Sequence, residues 1–136
     1  MDAEERAGLL ERLSAAVESN WEDIGADRKL FFRGLRCLQQ GEIVDASRVF
    51  RRAARCCPAP FSTMAKMAHG RCEVVRGRQG AAVRTFRAVA VSDIPTGLKK
   101  MAWMELADVA RERGDNALLQ QARDAISKCE KRSKKS

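Results

Sequence analysis

Residues 31–58 read FFRGLRCLQQGEIVDASRVFRRAARCCP, and their apolar side chains recur at the spacing of an α-helix. Gly41 divides this stretch into two amphipathic segments, and Pro58 ends it. Glycine suits the C-terminus of a helix, and proline resists the continuation of one. The stretch therefore predicts two helices joined by a short turn.

The same pattern returns later in the chain at a fixed offset. Gly34, Gly41, Ala46 and Phe50 recur 36 residues further on as Gly70, Gly77, Ala82 and Phe86. A period of this size is typical of stacked supersecondary units. Glycine in a helix interior costs about 0.5–1 kcal/mol relative to alanine, so the two mid-helix glycines predict a close approach between paired helices. Each phenylalanine is expected to be buried between such helices.

These residues resemble the tetratricopeptide repeat (TPR) family, whose pattern combines a glycine, an alanine, a phenylalanine and a proline at set spacings. Gly34, Ala46, Phe50 and Pro58 fit the pattern. A third unit matches its first half with Trp103, Leu106 and Ala107, and has Leu119 and Arg123 in the alanine and phenylalanine positions. The resemblance implies an all-α, TPR-like α-solenoid with three repeats, at about residues 27–60, 61–95 and 96–130.

Two segments flank the repeats. Residues 1–26 begin with a capping-box-like pair, Asp2 and Glu5, and continue with an apolar face, which predicts an N-terminal capping helix and brings the total to seven helices. Residues 131–136 are basic without apolar periodicity, so fraying is expected beyond about Glu130 and a disordered tail after it.

The resemblance also implies a binding surface, because the first helix of each repeat lines a concave groove in this family. Carried over to this chain, the groove is apolar and rich in methionine, a flexible side chain that suits the binding of a peptide or an amphipathic helix. The predicted groove residues are Phe31, Phe32, Leu35, Leu38, Met64, Met67, Arg71, Met101, Met104 and Asp108. Met67 is expected to face solvent in the free protein. The bland alternative is that these side chains fill the core between helices.

A second candidate surface is basic. Residues 1–30 carry four basic and eight acidic side chains, whereas the rest of the chain carries 22 basic and 10 acidic ones. Part of that excess forms one helix face that continues onto the next repeat, at Arg48, Arg51, Arg52, Arg55, Arg84 and Arg87. Such a face could bind nucleic acid or an acidic protein surface, and the chain's own acidic N-terminal segment is one candidate for that surface. Nucleic acid is the less favoured of the two, because reader motifs and tyrosines for base stacking are missing.

Composition favours a non-enzymatic domain that works without a cofactor. The single histidine, His69, lies three residues before Cys72, but no second cluster completes a metal set, and no phosphate-binding glycine loop occurs. The cysteine count is odd, the N-terminus does not resemble a secretory signal, and no apolar run is long enough to span a membrane. The sequence thus predicts a cytoplasmic protein-binding adaptor or small chaperone. A basic scaffold and a structural subunit of a larger complex, with or without self-association, stay open as alternatives.

Overall fold

The computed structural model describes residues 25–135 of the chain. Within this range the structure is all-α, without any strand, and its helices are α1 (Ala26–Gln39), α2 (Ile43–Cys56), α3 (Phe61–Val75), α4 (Gln79–Ala90), α5 (Thr96–Arg113) and α6 (Asn116–Lys135). The predicted N-terminal helix of residues 1–26 lies outside the described residues, apart from Gly25 and Ala26, where α1 begins. None of the described helices has the length and apolar character needed to cross a bilayer.

The chain divides into two compact units, residues 1–65 and 66–136. In the first unit, α1 packs against α2, and the first turn of α3 adds Phe61 to their aromatic contacts. In the second unit, α4 packs against α5, and α5 packs against α6. The core of this unit collects small and aromatic side chains, among them Ala82, Phe86, Trp103 and Leu106.

Helices α1, α3 and α5, the first of each predicted pair, end at a glycine, as the sequence predicts. Gly41, Gly77 and Gly114 have φ angles of 77°, 79° and 67°, in the left-handed region that only glycine adopts without strain. The amide of the residue after each glycine donates to a carbonyl five residues earlier, for example from Glu42 to Cys37 at 2.9 Å and from Arg78 to Glu73 at 2.8 Å. This 6→1 bond is that of a Schellman motif, so three helices of the chain end in the same way.

The mid-helix glycines allow a phenylalanine from the paired helix to approach the backbone. A Cβ atom built on Gly34 would lie 2.6 Å from Cδ1 of Phe50, and one built on Gly70 would lie 2.7 Å from Cε1 of Phe86. Both phenylalanines are fully buried. The predicted close approach of α1 to α2 and of α3 to α4 is confirmed, and the two pairs use the same contact 36 residues apart.

In the last helix pair, the positions that correspond to Gly70 and Phe86 hold a large and a small side chain, the reverse order of sizes. The sequence pattern assigns Leu119 and Arg123 to the alanine and phenylalanine positions, but Arg123 is exposed, and the structure buries Leu118 and Ala122 instead. Leu106 and Ala122 lie 36 residues after Gly70 and Phe86 and belong to one core cluster. The assignment of Leu119 and Arg123 was wrong by one residue, since the fixed offset of 36 from Ala82 and Phe86 leads to Leu118 and Ala122.

Helix α6 continues to Lys135, whereas the sequence predicts fraying beyond about Glu130 and a disordered tail at residues 131–136. Its N-terminus is capped by Asp115, whose Oδ1 accepts a 3.1 Å hydrogen bond from the amide of Leu118. Near its other end Cys129 is buried, and Lys100 of α5 forms a 3.3 Å ion pair with Glu130. These contacts stabilise the last turns of the helix. The basic residues after Glu130 add to this, because positive charges interact favourably with the negative, C-terminal end of the helix dipole.

Candidate functional site

The predicted groove residues of the first unit lie mostly in its core. Phe31, Phe32 and Leu35 are at most 9% exposed, while Leu38 and Met64 are partly exposed. The resemblance implied that all five line a binding surface. The structure does not leave the first three accessible, because α1 turns them toward the side chains of α2 and α3.

An aromatic cluster holds that core together. The ring of Phe31 has its centroid 5.4 Å from that of Phe32, 6.0 Å from that of Phe50 and 5.8 Å from that of Phe61. The guanidinium of Arg28 lies over the Phe61 ring, 5.4 Å from its centroid. Sequence reasoning missed Phe61, because this residue opens the next repeat and carries no periodic match of its own.

Met67 does not face solvent, so that prediction was wrong. Its side chain is 5% exposed and belongs to the same core cluster as Phe86 and Trp103. Met67 lies three residues before Gly70, on the part of α3 that also carries the glycine contact to α4. Side chains three and four apart share a helix face, which places Met67 with the buried residues.

Helix α5 does present an accessible methionine. Met101 is 50% exposed, and Met104, Glu105 and Asp108 are partly exposed at positions i+3, i+4 and i+7 from it. These four residues are called the α5 methionine face below. On the opposite side of α5 the side chains are buried, among them Trp103, Leu106 and Val109. Three of the predicted groove residues, Met101, Met104 and Asp108, are therefore brought together on one accessible helix face.

Charged pairs border this face. Arg71 of α3, also a predicted groove residue, donates from Nε to Oε1 of Glu105 at 3.0 Å, and Asp108 accepts from Arg111 at 3.0 Å. Arg71 is thereby held at the edge of this face, where the carboxylate of Glu105 balances its positive charge. The arrangement combines an exposed thioether side chain with charged groups at its edge, as protein-binding surfaces commonly do.

The basic face is exposed in both helices that carry it. Arg48, Arg51, Arg52 and Arg55 of α2 all lie on the surface, and none of the four forms an ion pair with another described residue. On α4, Arg84 and Arg87 are exposed as well, and Arg87 donates to Oε1 of Gln121 at 3.2 Å. All six arginines are thus exposed to solvent, and their binding role stays a prediction.

A polar cluster lies between α3 and α4. Glu73 is buried and accepts a 2.8 Å hydrogen bond from the hydroxyl of Thr85, and Nε2 of His69 lies 3.7 Å from the same carboxylate oxygen. The sequence signal was Glu73 itself, an acidic residue that stands 36 positions after Cys37 in the second repeat. Its pairing with Thr85 satisfies a carboxylate that would otherwise be costly to bury.

The five cysteines carry free thiols. Cys57, Cys72 and Cys129 are buried, as expected of small apolar side chains, whereas Cys56 is exposed and Cys37 is partly exposed. Burial raises the pKa of Cys37, and the neighbouring carboxylates of Glu42 and Asp45 raise it further. Across residues 25–135 no group of three or more His, Cys, Asp or Glu side chains is placed to hold a metal ion.

Comparison with protein-family models, with curated proteins and with solved structures finds no match to this chain.

Proposed function

We propose that this chain is a non-enzymatic protein-interaction module built from three degenerate TPR-like helix pairs, and that it works in the cytoplasm as an adaptor or small chaperone. The repeated contact supports the repeat architecture, since Gly34 meets Phe50 within one helix pair and Gly70 meets Phe86 within the next pair, 36 residues later. The free thiols agree with a reducing compartment.

The observation that carries the proposal is the accessibility of Met101 on a helix whose other side is core. A half-exposed methionine beside Met104, edged by the Arg71–Glu105 ion pair, can bury its apolar surface against a partner. Methionine adapts to different apolar partners because its side chain is unbranched and polarizable. The partner proposed is an amphipathic helix or an extended peptide that places apolar side chains on the α5 methionine face.

Site-specific photo-crosslinking tests this proposal in cells. A benzophenone amino acid at Met101 should crosslink to a polypeptide that mass spectrometry can identify, and the yield should survive high salt because burial of apolar surface is little screened. The matched control is Val91, an apolar residue of the same unit that is 70% exposed and lies outside the face. Equal polypeptide yields from both positions, or a crosslink from Met101 to nucleic acid, would refute the proposal.

A further inference from the structure

The arginine face of α2 is a charged patch that the proposed function does not use. It is defined here by Arg48, Arg51, Arg52 and Arg55, which stand at i, i+3, i+4 and i+7 on one helix. On the opposite side of α2, Ala46, Phe50 and Ala53 are buried. The helix is therefore anchored by its apolar side, and its four guanidinium groups point away from the core of the first unit.

Asp45 is the only acidic residue of α2, so the four guanidinium groups give this helix a net positive charge. None of the four is ion-paired with another described residue, whereas other surface charges such as Lys100 and Arg111 are. Like charges three and four residues apart on a helix repel each other. A partner that supplies carboxylates would relieve this repulsion, and arginine binds carboxylates through two parallel hydrogen bonds.

The N-terminal end of the same face has a different chemistry. Val44 lies in line with Arg48, Arg51 and Arg55 at i, i+4, i+7 and i+11, and its side chain is 48% exposed. Asp45, in the first turn of α2, is also exposed. The face thus begins with an apolar contact and a negative charge and continues with four positive charges.

We infer that the arginine face of α2 binds an acidic amphipathic helix of a partner protein. Such a helix can place carboxylates every three or four residues, the same spacing that the arginines have, and one apolar side chain against Val44. A nucleic-acid backbone fits this face less well, because its uniform negative charge would meet Asp45 and leave Val44 without an apolar partner. The face also lacks an aromatic side chain on which bases could stack.

The second unit provides a matched control. Arg84 and Arg87 lie 36 residues after Arg48 and Arg51, but the positions that follow them are Ala88 and Val91 in place of Arg52 and Arg55. Arg87 is also hydrogen-bonded to Gln121. Helix α4 therefore offers only half of the charge, so a double reversal there changes the net charge of the protein equally without touching the proposed site.

The test is fluorescence anisotropy with the full-length chain and three probes. These are a synthetic acidic amphipathic helix of about 20 residues, about 30 Å long, a scrambled peptide of the same composition, and an RNA duplex of similar length. Arg51→Glu/Arg55→Glu should weaken binding of the acidic helix by about tenfold or more, because two charge-assisted contacts become repulsive. Arg84→Glu/Arg87→Glu should weaken it less than about threefold, since these two side chains are not part of the arginine face of α2 and exposed charges are screened by salt.

Three results would overturn the inference. They are equal affinity for the helix and its scramble, equal loss in both double variants, and a tighter complex with the duplex that is lost in Arg51→Glu/Arg55→Glu. Circular dichroism should show both double variants to be as helical as the wild type, because all four arginines are exposed. Met101→Glu should leave affinity for the acidic helix within about threefold of the wild type, since Met101 is not part of the arginine face and its exposed charge would be screened by salt. This result would separate the arginine face from the α5 methionine face.

Discussion

The ring of Phe50 occupies the space that a side chain at Gly34 would need. A Cβ atom at Gly34 would lie 2.6 Å from Cδ1 of the ring, and Phe50 is fully buried in this position. The contact lets α1 and α2 approach more closely than helices with larger residues at the crossing would. The same relationship joins Gly70 to Phe86.

Gly34→Ala should therefore destabilise the fold although alanine favours helices. Overpacking of this kind costs typically about 1–3 kcal/mol. Equilibrium urea unfolding should show this loss, and adding Phe50→Leu should recover part of it as a coupling of about 0.5–3 kcal/mol. The control is Gly97→Ala in the first turn of α5, where an added Cβ meets nothing within 4 Å and stability should stay equal or rise. Equal effects of the two substitutions would show that the Phe50 contact is not limiting.

Much of this packing was predictable from residue identity at a fixed period. Gly34 and Phe50, with their equivalents at Gly70 and Phe86, indicate helix pairs because a helix interior tolerates glycine poorly unless another group needs the space. Gly41 and its equivalents indicate the helix ends for a similar reason, since positive φ selects glycine.

What could not be predicted depends on contacts between distant residues. Periodicity places Met67 and Met101 on helix faces, but it does not say which face is covered, and only Met101 is exposed. Leu106 and Ala122 stand at the positions of Gly70 and Phe86, but the large residue comes first and the small one second. A search for identical residues at a fixed offset therefore does not find this pair. The length of α6 depends on the burial of Cys129 and on the Lys100–Glu130 ion pair, neither of which a local pattern reveals.

Met67→Glu and Met101→Glu should have opposite consequences for folding. Burying an unpaired carboxylate in the core of the second unit should cost several kcal/mol, so the Met67 variant should melt far below the wild type or fail to fold. The Met101 variant should melt within a few degrees of it, because surface substitutions usually change stability by about 0.5 kcal/mol or less. Thermal melts by circular dichroism make this comparison, and a Met67 variant as stable as the Met101 variant would contradict the core position.

Thr85→Val should lower the free energy of unfolding, because it removes the hydroxyl that donates to the buried carboxylate of Glu73 while nearly keeping the side-chain shape. The substitution removes the 2.8 Å hydrogen bond to Glu73, and leaving a buried charged group short of a donor costs about 1–3 kcal/mol. Urea unfolding at neutral pH gives the loss. In Glu73→Gln the same valine substitution should cost less, because the neutral amide is cheaper to leave without this partner. A Thr85 effect that is unchanged by Glu73→Gln would show that the hydroxyl acts elsewhere.

The thiols should react with iodoacetamide in an order set by exposure and charge. Cys56 is exposed and should be alkylated first, whereas Cys72 is buried and should be modified last. Burial raises the pKa of the Cys72 thiol against the opposing charge of Arg76, and Glu73 adds to the rise. Because this pKa is higher in the folded chain, Cys72 favours folding below the ordinary thiol pKa of 9.0 and loses that contribution as the pH rises through the folded value.

Peptide mapping by mass spectrometry after short alkylation pulses reads this order, with Cys56→Ser as the control that should remove the fast phase. Early modification of Cys72 at neutral pH, while Cys56 is still unmodified, would contradict the burial of the Cys72 side chain in α3.

The most direct measurement of the proposed function is the affinity of the polypeptide crosslinked at Met101 for three forms of the chain. Isothermal titration should give a Kd for Met101→Leu within about threefold of the wild type, because leucine keeps the apolar surface at nearly the same volume. Met101→Glu should weaken binding by about tenfold or more, since a carboxylate would be buried against an apolar partner. Equal affinities of the wild type and Met101→Glu, both folded, would contradict binding through the α5 methionine face.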